Sequence, residues 1–245
     1  MTEVSIVIPA RNEAPNIGAL LDGIEAALTP VCDFEIIVVD DASDDGMADV
    51  LAARRAVSPH LRVLRHDRAG GQSAGVHSGV RAARGAIIAT LDGDGQNPPE
   101  ELPKLIAPLR APGSDAVGIV AGQRVGRQDT WSKKTASKMA NWLRVRLLHD
   151  GTRDTGCGLK AFRREAFLEL PYFDHMHRYL PALFTRDGWV VAHVDVAHKA
   201  RGGGRSHYSN LQRAAVGVAD LAGVAWLMKR RKKAKPTEIA PGAGE

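Results

Sequence analysis

The sequence predicts an α/β domain with a mainly parallel sheet flanked by helices. Three observations predict it: short apolar runs that are continuous rather than alternating, stretches of helical spacing between them, and acidic or polar residues where the runs end. Continuous apolar strands are buried on both faces, which a parallel sheet covered by helices achieves. The first strand is residues 4–8, closed by Pro9, after which Ile17, Leu20, Leu21, Ile24 and Leu28 recur three or four apart as one helical face. The second strand, 35–40 (EIIVVD), runs into a polar turn ending at Gly46, and 47–57 is helix-like. A third strand at 61–65 precedes a helix after Ser73. A fourth, 86–92 (AIIATLD), precedes a helix opened by Pro98, Pro99, Glu100 and Glu101, since proline fits a first helical turn.

The second half carries an apolar run at 117–121, a helix-like stretch at 131–148, a glycine-interrupted loop at 154–158 and a strand at 189–196. No proline-rich or polar linker divides the halves and no internal repeat is present, so one domain over 1–210 is expected, followed by a basic helix at 211–235 and a disordered tail at 236–245. With 245 residues and 44% hydrophobic content the chain is a globular protein, able to bury roughly three-quarters of its unfolded surface. Its two cysteines, Cys32 and Cys157, cannot build a disulfide framework or a cysteine zinc site, and no signal-peptide apolar region opens the chain. A reducing cytoplasm is the expected compartment.

The net charge of +5 is unevenly placed: Lys229, Arg230, Arg231, Lys232, Lys233 and Lys235 supply six of the 33 basic residues within seven positions. The body up to residue 228 is nearly neutral, with 27 basic against 26 acidic residues. That distribution argues against nucleic acid, which demands phosphate contacts spread over the fold. It points instead to an anionic partner near the C-terminus.

Functional groups in open α/β sheets gather beyond the carboxyl ends of the strands. Three such ends are acidic or polar here: 9–13 (PARNE), 39–41 (VDD) and 91–96 (LDGDGQ). Asp92 and Asp94, one residue apart and followed by Gln96, form a hard-oxygen set suited to Mg²⁺ or Mn²⁺ bound together with substrate phosphates. Asp40 and Asp41 can accept hydrogen bonds from a ribose or base, while Ser43 or Asp44 is the natural cap of the next helix. No glycine fingerprint follows the first strand and no G-x-x-x-x-G-K-[ST] occurs, which excludes an ordinary dinucleotide dehydrogenase and a P-loop NTPase. Between His198 and Tyr208, three glycines set among Lys199, Arg201 and Arg205 make a loop able to wrap an anion.

VSIVIPARNE, EIIVVDDASDDG, GGQSAGVHSGVRAARGAIIATLDGDGQNPPEELPKL, DTGCGLKAFRRE, HRYLPAL and HKARGGGRSHY together resemble the family 2 glycosyltransferases, with their Rossmann-like GT-A fold. Within that family they look most like the dolichol-phosphate mannosyltransferase-like enzymes, the polyprenyl-phosphate glycosyltransferases. The resemblance covers about residues 3–210. It implies that Pro9, Arg11 and Glu13 border the nucleotide and that Val39 and Asp41 lie near its base and ribose. Asp92, Gly93 and Asp94 would meet the metal and diphosphate, with Gln96 completing the metal shell. Arg124 would face the sugar or acceptor phosphate, and Lys133 or Lys134 would supply the basic residue ahead of the central helix. Arg201, Ser206 and His207 would belong to a flexible loop that closes over the phosphates. Asp92, Asp94, Arg124 and Arg201 are thus the expected catalytic set. Two positions depart from the family: Arg11 stands where an aromatic is usual, and His207 where a lysine is usual.

The implied reaction is inverting transfer of a sugar from a GDP-mannose or UDP-hexose type nucleotide-sugar donor to a dolichyl- or undecaprenyl-type phosphate, in cell-envelope glycan biosynthesis. One alternative is transfer to a sugar hydroxyl in a polysaccharide or glycolipid, for which Asp154 or Asp174 would be the base. Another is a non-catalytic, membrane-tethered nucleotide-sugar binding module, against which the complete set Asp92, Asp94, Gln96 and Arg201 stands. The segment 211–228, interrupted by Gln212, Arg213 and Asp220, is too short and polar to cross a hydrocarbon layer of roughly 30 Å. With Trp226 and six basic residues it reads as an amphipathic interfacial helix that attracts anionic headgroups. The expected location is therefore peripheral, on the cytoplasmic face of the cytoplasmic membrane. The segment leaves room for a membrane-protein partner.

Overall fold

The computed structural model describes residues 2–125, 144–148, 150–197 and 210–231, with 234 and 237. Seven strands form one sheet: β1 (Val4–Ala10), β2 (Phe34–Asp40), β3 (Leu61–Arg65), β4 (Ile87–Thr90), β5 (Val117–Arg124), β6 (Lys160–Arg163) and β7 (Val190–Val196). Their order is β3-β2-β1-β4-β6-β5-β7. β3, β2, β1 and β4 pair in parallel, as do β5 and β7, and β6 runs antiparallel to both of its neighbours.

Period-two alternation along the strands supplies two cores. Val4, Ile6 and Ile8 face the layer of α1 (Ala14–Leu28), α2 (Met47–Val57) and α4 (Leu102–Arg110), where Ile17, Ile24, Met47, Leu51, Leu105 and Ile106 are buried. Val7, Ile37, Val39 and Ile88 face the other layer, with α3 (Gly71–Ala82), α5 (Arg164–Leu168) and α6 (Leu180–Arg186). Helix α3 lies so close to β1 that a Cβ at Gly79 would sit 2.3 Å from a Val7 methyl.

Three expectations need adjustment. The fourth strand ends at Thr90, so Leu91 and Asp92 leave the ladder, and Thr90 Oγ1 donates to the Gly158 carbonyl at 2.8 Å. β6 is a strand where no element was expected: four residues with a basic residue at each end have no strand pattern of their own and pair because β4 and β5 flank them. Neither Ser43 nor Asp44 caps α2. Asp45 serves two helices instead, accepting the Ala14 N–H on Oδ2 (2.9 Å) and the Met47 N–H on Oδ1 (3.1 Å). Of the helix expected at 131–148, 144–148 is helical and the rest lies outside the described residues.

The C-terminal helix α7 (Asn210–Met228) packs on the domain rather than standing clear of it. Val224 is buried in the second core, His175 Nδ1 lies 2.9 Å from Asp220, and Arg186 donates to the carbonyls of Leu227 and Arg230. Its outer stripe, Val218, Ala222 and Trp226, remains exposed. Among the described residues no helix is long and apolar enough to cross a membrane.

Candidate active site

The chain leaves β1 towards β2 and β3 on one side and towards β4 on the other, so the carboxyl ends of β1 and β4 form a topological switch point, where open α/β sheets bind ligands. A pocket of about 260 Å³ opens there, lined by Pro9, Ala10, Arg11, Glu13, Asp41, Gly71, Gln72, Asp92, Gly93 and Asp94. The adjacent turns are locked together. Asn12, at φ 58°, pairs its amide with Asp44 in both directions, 2.8 Å and 3.0 Å, and its N–H donates to Ser43 Oγ. Asp40 accepts the Ser43 N–H and pairs with Arg65 at 3.0 Å, so it shapes the turn while Asp41 faces the pocket.

Asp41 is itself heavily engaged. Its Oδ1 accepts the Gly70 N–H (2.7 Å) and lies 2.7 Å from His66 Nδ1, and its Oδ2 accepts the Gly71 N–H (2.8 Å). Burial alone would raise its pKa, but these hydrogen bonds from Gly70, His66 and Gly71 outweigh burial and hold it below the ordinary aspartate value. Asp41 therefore ties the start of α3 to the end of β2.

Asp92 stands at the floor of the pocket, half-buried, accepting from Gln72 Nε2 on Oδ1 (2.6 Å) and from Asn97 Nδ2 on Oδ2 (3.2 Å). Burial raises its pKa and the nearby Asp94 adds to this, while Lys160, Asn97 and Arg124 oppose it. Lys160 is enclosed by protein, donates Nζ to the Cys157 carbonyl, and has its pKa lowered first by burial. Two carboxylates one residue apart at the pocket, one of them with its pKa raised by burial and by the other, are hard oxygen donors of the kind that a divalent cation shared with phosphates would take up. Among the described residues no three His, Cys, Asp or Glu side chains converge into a ready-made cage. Gln96 donates its backbone N–H to Asp94 Oδ1 at 3.1 Å, closing the turn.

Arg124 is turned to Asp154 in a two-pronged pair, Nε to Oδ2 at 2.5 Å and the terminal nitrogen to Oδ1 at 2.9 Å. Hydrogen bonding to Asp154 raises the Arg124 pKa further. The Asp154 N–H is in turn anchored on Gln123 Oε1 at 2.9 Å. Val39 does not line the pocket: its side chain is fully buried in the core facing α3. Lys133, Lys134, Arg201, Ser206 and His207 lie outside the described residues, as does the anion-wrapping loop from His198 to Tyr208.

A profile of the family described as "Glycosyl transferase family 2" matches residues 5–170, more than half of the chain. The chain belongs to glycosyl transferase family 2. It is 36% identical over 210 residues to the undecaprenyl-phosphate 4-deoxy-4-formamido-L-arabinose transferase of Serratia proteamaculans, covering 84% of this chain and 63% of that one. The transferase of the same name from Proteus mirabilis is 35% identical over 214 residues, covering 86% and 64%. The chain thus spans just under two-thirds of the length of these relatives. The GT-A fold is confirmed by solved structures. Glucosyl-3-phosphoglycerate synthase from Mycobacterium tuberculosis, in complex with Mn²⁺, UDP and glucosyl-3-phosphoglycerate, superposes with a TM-score of 0.69 at 20% identity, covering 95% of this chain and 81% of that one. Mannosyl-3-phosphoglycerate synthase from Rubrobacter xylanophilus does so with a TM-score of 0.70 at 21% identity, covering 98% and 78%.

Several site groups of this family 2 glycosyltransferase carry no individual sequence signal. Gln72 is readable only as part of a Gly-Gly-Gln-Ser helix start after the third strand. Gly158 is set by proximity, since a Cβ there would fall 2.2 Å from Asp92 Oδ2. Lys160 sits on the strand that the sequence conceals, and His177 meets Ser73 across 104 positions.

Proposed function

We propose that this glycosyltransferase moves a sugar from a nucleoside-diphosphate sugar to the phosphate of a polyprenyl phosphate, by a single displacement that inverts the sugar carbon. The observation that carries the reading is the Asp92 and Asp94 pair in the switch-point pocket, where burial and the neighbouring carboxylate raise the Asp92 pKa. The identity to undecaprenyl-phosphate transferases over 84% of this chain supports the acceptor class. A GDP-mannose or UDP-hexose type donor is the class of nucleotide sugar proposed.

Asp92 and Asp94, with Gln96, would hold Mg²⁺ or Mn²⁺, which when bound offsets the charge of the departing diphosphate. Pro9, Arg11, Glu13 and Asp41 would border the nucleotide, with Arg11 replacing an aromatic contact by a cation. A lipid monophosphate, with a second pKa of about 6, is already an anionic nucleophile at neutral pH and requires no strong base. The work left to the protein is to hold two phosphate-bearing substrates in line, a task assigned to Arg124, Lys134, Arg201, Ser206 and His207. Transfer to a sugar hydroxyl would require a free carboxylate base. Of the two candidates, Asp154 is held in the two-pronged pair with Arg124, while Asp174 lies near Gly71 at the pocket edge, so Asp174→Asn tests the hydroxyl reading: unchanged transfer to the lipid phosphate supports the phosphate acceptor.

The membrane contact proposed is the outer stripe of α7. Val218, Ala222 and Trp226 follow at four-residue steps, Arg230 stacks 5.4 Å from the Trp226 ring, and Lys229 and Arg231 lie beside them, exposed. Each basic residue near an anionic surface contributes about 1 kcal/mol. The location proposed on this support is peripheral, on the inner face of the cytoplasmic membrane.

The test is transfer of radiolabelled sugar to a short polyprenyl phosphate, with the corresponding polyprenol as control acceptor. Asp94→Asn, or excess chelator, is expected to reduce transfer at least about 10²-fold with the fold retained. Undiminished transfer by that variant, or equal labelling of the polyprenol, overturns the proposal.

A further inference from the structure

The first turn of α3 is held from both sides. Asp41 takes the N–H groups of Gly70 and Gly71, and on the opposite flank the fully buried Ser73 lies 2.8 Å from His177 Nδ1 while its Oγ accepts the His177 backbone N–H at 3.3 Å. Between these two anchors stands Gln72, whose amide donates to Asp92 Oδ1 at 2.6 Å. His177 belongs to the short turn Met176–Arg178, whose preceding residue His175 is tied to Asp220 of α7 at 2.9 Å and whose following residue Tyr179 donates to the Gly217 carbonyl at 3.5 Å. Burial, with Lys160 adding to it, lowers the His177 pKa to about 3, so the ring is a neutral hydrogen-bonding group. A narrow chamber is lined by Gln72, Asp92, Lys160 and His177 together with apolar residues such as Val76 and Leu180, so the ring and the carboxylate border one cavity.

We propose that Gln72 is a positioning residue for Asp92, and that His177, through Ser73, fixes the helix start that aims Gln72. The proposal rests on the reading of Asp92 and Asp94 as the carboxylates that share a cation with the donor diphosphate. The physical reason is rotational. Lys160 and Arg124 act on the charge of Asp92, and Asn97 hydrogen-bonds its Oδ2. The Gln72 amide bonds Oδ1, the oxygen that Asn97 does not, so the two amides together set the plane of the carboxylate. Groups that orient a metal-binding carboxylate in this way typically contribute about 10- to 100-fold in metal affinity or turnover.

The experiment measures Mn²⁺ binding to the full chain by electron paramagnetic resonance of free Mn²⁺, in the presence of UDP or GDP, alongside kcat and KM for transfer. Gln72→Leu is expected to weaken Mn²⁺ binding about 10- to 100-fold and to lower kcat more than it raises donor KM. Ser73→Ala and His177→Gln are expected to weaken binding about 10-fold, whereas His177→Asn, which keeps a polar atom where Nδ1 stands, restores it. Wild-type Mn²⁺ affinity in Gln72→Leu and Ser73→Ala overturns the proposal. So does a fall in melting temperature with unchanged affinity in the folded protein, or equal effects of His177→Asn and His177→Gln. If His177→Gln does not fold, Ser73→Ala decides alone. Asp94→Asn separates the two levels: wild-type Mn²⁺ affinity in that variant removes the underlying reading, while its loss together with unaffected Gln72→Leu removes only the positioning role.

Discussion

Gly158 is the residue at which one methyl group reports most directly on the site. An added Cβ would stand 2.2 Å from one Asp92 oxygen and 2.7 Å from the other, so Gly158→Ala forces the carboxylate out of place while leaving the strand pairing intact. Displacements of that size commonly cost about 10²-fold in turnover, and a loss of that order with a native circular dichroism spectrum is expected. Glu35 makes the opposite case, a buried charge far from the pocket that serves only the fold. It accepts from Ser5 Oγ (2.7 Å), Arg62 (2.6 Å) and the Arg84 N–H (2.7 Å), closing the loop between α3 and β4. Burial would raise its pKa, but these three hydrogen bonds prevail and lower it. A lowered folded pKa means stability that is present above the unfolded value of about 4.3 and lost as pH falls through the folded one. Glu35→Gln is therefore expected to cost about 2–3 kcal/mol near neutral pH, with the difference from wild type shrinking in denaturant titrations run below about pH 4.

At the scale of elements, what the sequence revealed depended on whether an element carries its own pattern. β1, β2 and β4 are continuous apolar runs because both faces are covered, and α1 shows its buried face directly at Ile17, Leu20, Leu21, Ile24 and Leu28. β6 is a strand by virtue of its neighbours, and its Lys160 side chain is buried where a basic residue reads as exposed. α7 combines both cases: its apolar character was visible, but which face docks was set by Asp220, Val224 and the Arg186 contacts. The exposed stripe and basic end predict a measurable difference in liposome flotation. The full chain should float with vesicles containing anionic lipid, less so at high salt and not with neutral vesicles, and a chain ending before residue 211 should remain at the bottom. Equal flotation of the two chains would assign membrane binding elsewhere.

For the whole molecule, the parts of the site that were legible are those where an apolar run breaks into acidic residues at a strand end, as at Asp41, Asp92 and Asp94. The parts that were not are contacts between distant segments, such as Ser73 with His177 and Arg124 with Asp154, which no local spacing encodes. The composition shows the same division: the body up to residue 228 is nearly neutral at +1, and +4 of the net +5 resides in the C-terminal end. On the proposed reading this body passes a sugar to a lipid phosphate. That reading is tested most directly by incubating the protein and a divalent cation with a panel of nucleotide sugars and a short polyprenyl phosphate, and weighing the lipid by mass spectrometry. A lipid heavier by one sugar residue, linked through phosphate, is expected from one class of nucleotide sugar. A sugar joined instead to a hydroxyl acceptor, or a bound nucleotide sugar that yields no lipid product with any donor in the panel, would contradict that reading.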